Sequence, residues 1–203
     1  MKSMKRSIVA FFSMLFVLGL AVQADADMYD FSSMGFTDGQ DLEGMTLGIA
    51  TFTSETSNLK YFSDYGSGIA ASSLGGTGDI YIQFATPVSA LSFRGGDGGG
   101  DDDAFAVTLY EFGTDSLIGT WATPVFDGLN GPEWYTLNIN ASNVGRVVFD
   151  PGNSGALPGS KYDIGGLVIT DIGFTPVPVP VPGAVLLGML GLSVAGIKLR
   201  KSA

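Results

Sequence analysis

The stretch Ile80-Tyr81-Ile82-Gln83-Phe84-Ala85 alternates a large apolar residue with one that tolerates water. A period of two is the signature of an extended strand, with Ile80, Ile82 and Phe84 on a core face and Tyr81, Gln83 and Ala85 on the other. The same alternation recurs at Phe105, Val107 and Leu109 against Ala106, Thr108 and Tyr110, and at Tyr135, Leu137 and Ile139 against Thr136 and Asn138. Outward from these, strands are expected over 46–53, 59–62, 88–94, 117–121, 144–149 and 167–174. Gly75-Gly76, Asp127-Gly128, Asn130-Gly131-Pro132 and Pro151-Gly152-Asn153 punctuate them as turns. About nine strands at this spacing predict an all-β fold: an antiparallel two-sheet sandwich, jelly-roll-like. No stretch of this body carries a 3.6-residue apolar period.

Composition narrows the chemistry. The chain has 203 residues with 20 Asp and Glu, 10 Lys and Arg, no His and no Cys. Without Cys there is no disulfide framework, thiolate metal site or cysteine nucleophile. Without His, the usual general base near neutral pH and the commonest zinc ligand are absent, as are triads built on His. With 30 Gly and 45% hydrophobic residues, the chain is apolar and turn-rich. Between Asp27 and Pro176, 19 acids face only Lys60, Arg94, Arg146 and Lys161. Nucleic acid is excluded as a partner, since binding phosphate needs a basic footprint.

Six of the ten bases sit at the ends of the chain. Lys2, Lys5 and Arg6 precede 13 uncharged residues, Ile8 to Leu20, and Ala24-Asp25-Ala26 then supplies small residues at Ala24 and Ala26 for a cleavage site. This is the tripartite pattern of a secretory signal. At the other end, Pro176, Pro178, Pro180 and Pro182 alternate with valines, which favours a stiff extended spacer. Gly183 to Ile197 is a run of 15 uncharged residues. As a helix it would be roughly 22 Å long against a hydrocarbon core of ~30 Å, a marginal span. Lys198, Arg200 and Lys201 follow and favour a cytoplasmic end. The expected organisation is a signal peptide at 1–26, a β-sandwich at 27–175, a Pro/Val linker at 176–182 and a short transmembrane helix with basic tail at 183–203.

The last 27 residues, with Val179-Pro180-Val181-Pro182-Gly183-Ala184, an apolar run and a basic cluster, resemble the PEP-CTERM sorting signal. The resemblance implies recognition by an exosortase, a membrane-embedded cysteine transpeptidase thought to cut near the proline motif. It also implies release or transfer to the cell surface or exopolysaccharide matrix of a Gram-negative bacterium. Val181 stands where the family's commonest motif has Glu, and the Pro-Val-Pro-Gly-Ala form is similar to known subtypes. Asp30-Phe31 and Gly44-Met45-Thr46-Leu47 loosely resemble the starts of secreted bacterial jelly rolls sharing this tail.

Two features of the body could carry binding chemistry. Arg94-Gly95-Gly96-Asp97-Gly98-Gly99-Gly100-Asp101-Asp102-Asp103 packs four carboxylates and five glycines between two strands. Ca²⁺ takes 6–8 oxygens from carboxylates, backbone carbonyls and water, so Asp97, Asp101, Asp102 and Asp103 are candidate ligands, with Asp150 or Asp163 to close the shell. No EF-hand spacing is present, and an acidic solvated hairpin tip explains the loop equally well. Among the aromatics, Trp134 beside Gly131-Pro132 reads as a rim residue, and with Tyr135 it is the candidate platform for sugar rings. Trp121 reads as core, the usual fate of strand aromatics.

No nucleophile elbow or phosphate loop occurs, and no carboxylate pair is singled out for acid–base work. The expected role is therefore a non-enzymatic, structural or adhesive surface protein, with Ca²⁺ as a candidate bridge to anionic polysaccharide. The alternatives are a carbohydrate-binding module and, after it, a carboxylate-dependent glycan hydrolase.

Overall fold

In this computed structural model the described residues are 25–63, 66–71, 78–96, 102–127, 134–152 and 167–178. They form β1 (Asp27–Asp30), β2 (Thr46–Leu47), β3 (Ala50–Ser54), β4 (Leu59–Phe62), β5 (Gly68–Ala71), β6 (Ile80–Gly96), β7 (Asp102–Asp103), β8 (Ala106–Glu111), β9 (Leu117–Ala122), β10 (Phe126–Asp127), β11 (Trp134–Ile139), β12 (Val144–Asp150) and β13 (Val168–Pro176). One 3₁₀ turn, Phe31–Ser33, follows β1, with Asp30 accepting from Ser32 N as its cap. Every strand pairing among the described residues is antiparallel. The expected signal and transmembrane helices lie outside the described residues, within which no helix is long and apolar enough to cross a membrane.

Two expected strands, around Ile80 and over 88–94, are one strand, β6, of 17 residues. Its first half is flanked by β3 and β12 and its second half by β13 and β11. The change of partners falls between Pro87 and Ala90, where Ala90 takes φ +49°. Pro87 has no N–H to offer a ladder, and positive φ turns the backbone. Neighbouring segments take up the exposed groups: Ala85 N donates to Ile49 O at 2.8 Å, Val177 N to Pro87 O at 2.8 Å and Ala90 N to Ala141 O at 3.2 Å. Eleven strands are thereby hydrogen-bonded into one sheet, beside the small β7–β10 pair. The sheets expected to be separate are joined through this bent strand.

The predicted 46–53 strand is broken for a similar reason. Gly48 takes φ +52°, and a Cβ there would lie 2.8 Å from Tyr29 Oη, which donates to Leu47 O at 2.6 Å. The result is a tight hairpin of β2 and β3.

Aromatic contacts connect the strands flanking the first half of β6 with those flanking the second. Phe84 meets Phe174 of β13 with ring centroids 5.0 Å apart, and Phe93 in the second half meets Phe149 of β12 at 6.3 Å. Tyr29 of β1 contacts both Phe52 of β3 and Phe174. Phe52, Phe84, Phe93, Phe149 and Phe174 are all fully buried, and burial of such a side chain is worth roughly 1.5–3 kcal/mol.

Candidate functional site

Residues directly opposite in antiparallel strands share a face. In the strands flanking the second half of β6, Thr136 lies opposite Arg94 and Arg94 opposite Asp171, while Asn138 lies opposite Ser92 and Ser92 opposite Gly173. The intervening Leu91, Phe93, Ile139 and Ile172 are buried, so this polar set forms the outer face. Trp134 begins β11 at one end of it.

The geometry around Trp134 is specific. The Arg94 guanidinium carbon lies 5.3 Å from the indole centroid. Arg94 Nη1 reaches Asp171 Oδ2 at 3.4 Å, and the same oxygen accepts from Thr170 Oγ1 at 2.8 Å. Gly66, at φ +96°, lies under the benzo edge of the indole, where a Cβ would come within 2.0 Å of Trp134 Cη2. Only glycine fits both that conformation and that approach. The indole is thus held by its edge and by Arg94, yet remains half-exposed.

At the other end of the face, a depression of about 360 Å³ is lined by Ala90, Leu91, Ser92, Asn138, Ile139 and Asn140. Gly173, opposite Ser92, leaves no room for a side chain, since a Cβ there would lie 2.5 Å from Ser92 Oγ. Four residues of strand separate Trp134 from Asn138, roughly 13 Å at the usual rise. One aromatic surface and a row of hydroxyl, amide, carboxylate and guanidinium groups therefore line a strip in which Arg94 offsets Asp171, and Asp30, opposite Asp171 on β1, adds one negative charge at its edge. Such a strip offers an apolar face to C–H groups together with donors and acceptors for hydroxyls.

The expected platform of Trp134 with Tyr135 does not form. Adjacent strand residues point to opposite faces, and Tyr135 turns inward to stack on Phe126 at 5.7 Å. Trp121 packs against the core, as its sequence suggests. Of the candidate metal ligands, Asp97 and Asp101 lie outside the described residues. Asp102 begins β7 as backbone partner of Asp127, and Asp103, opposite Phe126, is 1% exposed. Among the described residues, no group of three or more acidic side chains could hold a metal ion. Asp150 caps its own turn by accepting from Gly152 N at 2.9 Å. Of the signal-cleavage pair, Ala26 is exposed immediately before β1, while Ala24 lies outside the described residues. So do Val179, Pro180, Val181, Pro182, Gly183, Ala184, Lys198, Arg200 and Lys201.

Sequence reading missed Arg94, Asp171, Ser92 and Asn138 as site residues. Their outward placement was legible in the strand alternation, but their alignment across three strands was not.

No family model and no curated protein sequence matches the chain. Among solved structures, it is similar to the K2 cleaved adhesin domain of Lys-gingipain, at 16% identity and a TM-score of 0.39, covering 74% of this chain and 99% of that one. It is also similar to the C-terminal CBM6 of LamC, a marine laminarinase from Zobellia galactanivorans, at 15% identity and a TM-score of 0.36, with 74% and 99% covered. A third is the carbohydrate-binding module CBM6cm-2 from Cellvibrio mixtus lichenase 5A in complex with cellotriose, at 12% identity and a TM-score of 0.34, covering 70% of this chain and all of that one. At these values the likeness assigns neither a family nor a ligand to this chain.

Proposed function

We propose that this chain is an exported, non-enzymatic glycan-binding protein of the bacterial surface or extracellular matrix. The observation that carries the binding part is the half-exposed Trp134 indole, fixed by Gly66 and Arg94 at the end of a polar strip. Arg94 offsets Asp171, and Asp30 opposite Asp171 leaves one negative charge, so the strip suits a neutral sugar chain rather than a polyanion. Export rests on the N-terminal tripartite signal. Cleavage after Ala26 would leave Asp27, the first residue of β1, as the new N-terminus and keep the β1–β13 ladder whole. The PEP-CTERM-like tail supplies the membrane intermediate and the sorting step, with an exosortase as processing partner and exopolysaccharide as ligand.

Titration of the full chain in detergent with neutral oligosaccharides tests the binding part through tryptophan fluorescence. Trp121 is also only partly buried, so the titration is run on a Trp121→Phe variant, in which any change comes from Trp134. Trp134→Ala should abolish the signal and weaken binding about tenfold by calorimetry, equivalent to ~1.4 kcal/mol. Unchanged binding by a folded Trp134→Ala variant would sink the assignment.

A further inference from the structure

A second depression lies on the other outer face, among the strands flanking the first half of β6. It occupies about 620 Å³ and is lined in part by Gln83, Glu111, Phe112, Asp115 and Arg146. None of these was singled out by sequence, and none belongs to the Trp134 strip. We infer that this depression is a second, independent glycan-binding site, for a neutral sugar presenting adjacent hydroxyls.

The site is built by a fault in the sheet. The register of β12 shifts between Val144 and Arg146 against both of its neighbours: against β8 Gly145 is the extra residue, while against β6 the extra residues are on β6, between Gln83 and Val88. A Cβ at Gly145 would lie 2.5 Å from Phe112 Cα, so the close approach of the 112–116 turn requires glycine. Bulges of this kind re-aim a side chain out of a ladder. Here the side chain is Arg146, whose guanidinium carbon sits 3.7 Å above the Tyr110 ring. Asp115 accepts from Arg146 Nε at 2.8 Å and from Nη2 at 3.0 Å. Glu111 accepts from Thr114 Oγ1 at 2.7 Å and from Asn143 Nδ2 at 2.9 Å. Gln83 Nε2 donates to Gly145 O at 3.0 Å.

Each polar group is thus oriented by one set of partners while keeping capacity for another. A carboxylate offers about four lone-pair positions and a guanidinium five N–H donors, of which the contacts above use only part. The Gln83 amide oxygen adds an acceptor. Phe112 gives the depression an apolar wall. The hydrogen bonds from Thr114 and Asn143 lower the Glu111 pKa, and the hydrogen bond from Arg146 lowers that of Asp115, so both stay ionised at neutral pH. Two carboxylates against one guanidinium leave the depression with one net negative charge. That balance repels a uronate and favours a neutral polyol, whose paired hydroxyls donate to the carboxylates and accept from Arg146.

The site stands on its own residues. Its consequence, that one molecule bridges two glycan chains through opposite outer faces, rests on the reading of the Trp134 strip as well. The test is a two-dimensional NMR titration of the full ¹⁵N-labelled chain in detergent with cellohexaose and xylohexaose, and with hexameric mannuronate and glucosamine as charged controls. The neutral hexasaccharides should shift the amides of Gly113, Asp115 and Gly145 as well as the Trp134 indole. Asp115→Asn keeps a side chain suited to the φ of +56° at that position, and Gln83→Ala removes the amide; each should weaken the first set of shifts about tenfold and leave the indole shift intact. Indole shifts with silent Gly113 and Asp115 amides would overturn the second site alone. The reverse pattern would overturn the Trp134 strip and leave the depression standing, and silence at both would overturn both. Shifts at the depression with mannuronate or glucosamine but not with the neutral sugars would overturn the ligand class.

Discussion

Glu43 shows how much structure one side chain can hold: Oε1 accepts from Ser54 N at 3.1 Å, and Oε2 accepts from Ser54 Oγ at 2.8 Å and from Leu59 N at 3.0 Å. Two of these donors are backbone groups at the end of β3 and the start of β4, so the carboxylate clamps the turn between them. Glu43→Ala should cost about 2 kcal/mol, read as a lower urea midpoint with an unchanged slope, because half-buried donors lose their acceptor. Asp79 works in the opposite direction. Burial raises its pKa, and Asp150 and Glu55 nearby raise it further. A carboxyl with a raised pKa favours the fold when protonated, so its contribution is present at low pH and is lost as pH rises through the folded-state value. Asp79→Asn should therefore match the parent near pH 3 and melt higher at pH 7. Melting curves across that range check the sign.

At the scale of elements, β6 decides the architecture and Ala90 is where it bends. A non-glycine residue at φ +49° carries strain of about 1 kcal/mol, which glycine removes at some cost in unfolded-state entropy. Ala90→Gly should be neutral or stabilise by about 0.5 kcal/mol. Ala90→Pro should unfold the protein, since proline has neither the N–H that reaches Ala141 O nor access to positive φ. Thermal melts of the two variants give opposite signs. The alternation in 80–85 and 88–94 identified both halves of this strand, yet nothing local showed that they were continuous. Pro87 reads as a breaker in a sequence, and only the backbone groups supplied by Ile49, Val177 and Ala141 allow the strand to pass through it. Arg94 and Asp171 are in the same position: 77 residues apart, they meet because β13 returns alongside β6.

For the molecule as a whole, the charge layout and the two terminal segments bear on where the protein goes. If the tail is processed as its resemblance implies, protein recovered from the cell surface or medium should end near Pro180 to Pro182 and lack Lys198, Arg200 and Lys201. Replacing those three bases with alanine should hold the uncut chain in the membrane fraction, since positive residues fix the cytoplasmic end of a marginal span. Intact-mass spectrometry of both fractions reads the outcome, and an unshortened surface form would refute the sorting role.

The sequence by itself determined the strand character of the body, the inward faces of Ile80, Ile82, Phe84, Val107 and Leu109, and the exclusion of chemistry that needs His or Cys. These follow from local periodicity and composition, which act within a few residues. Tertiary structure alone decided that Arg94, Asp171, Ser92 and Asn138 align, and that Gly145 opens a depression beside Arg146. Each depends on register between strands distant in the chain, and register is fixed only when the aromatic core brings those strands together.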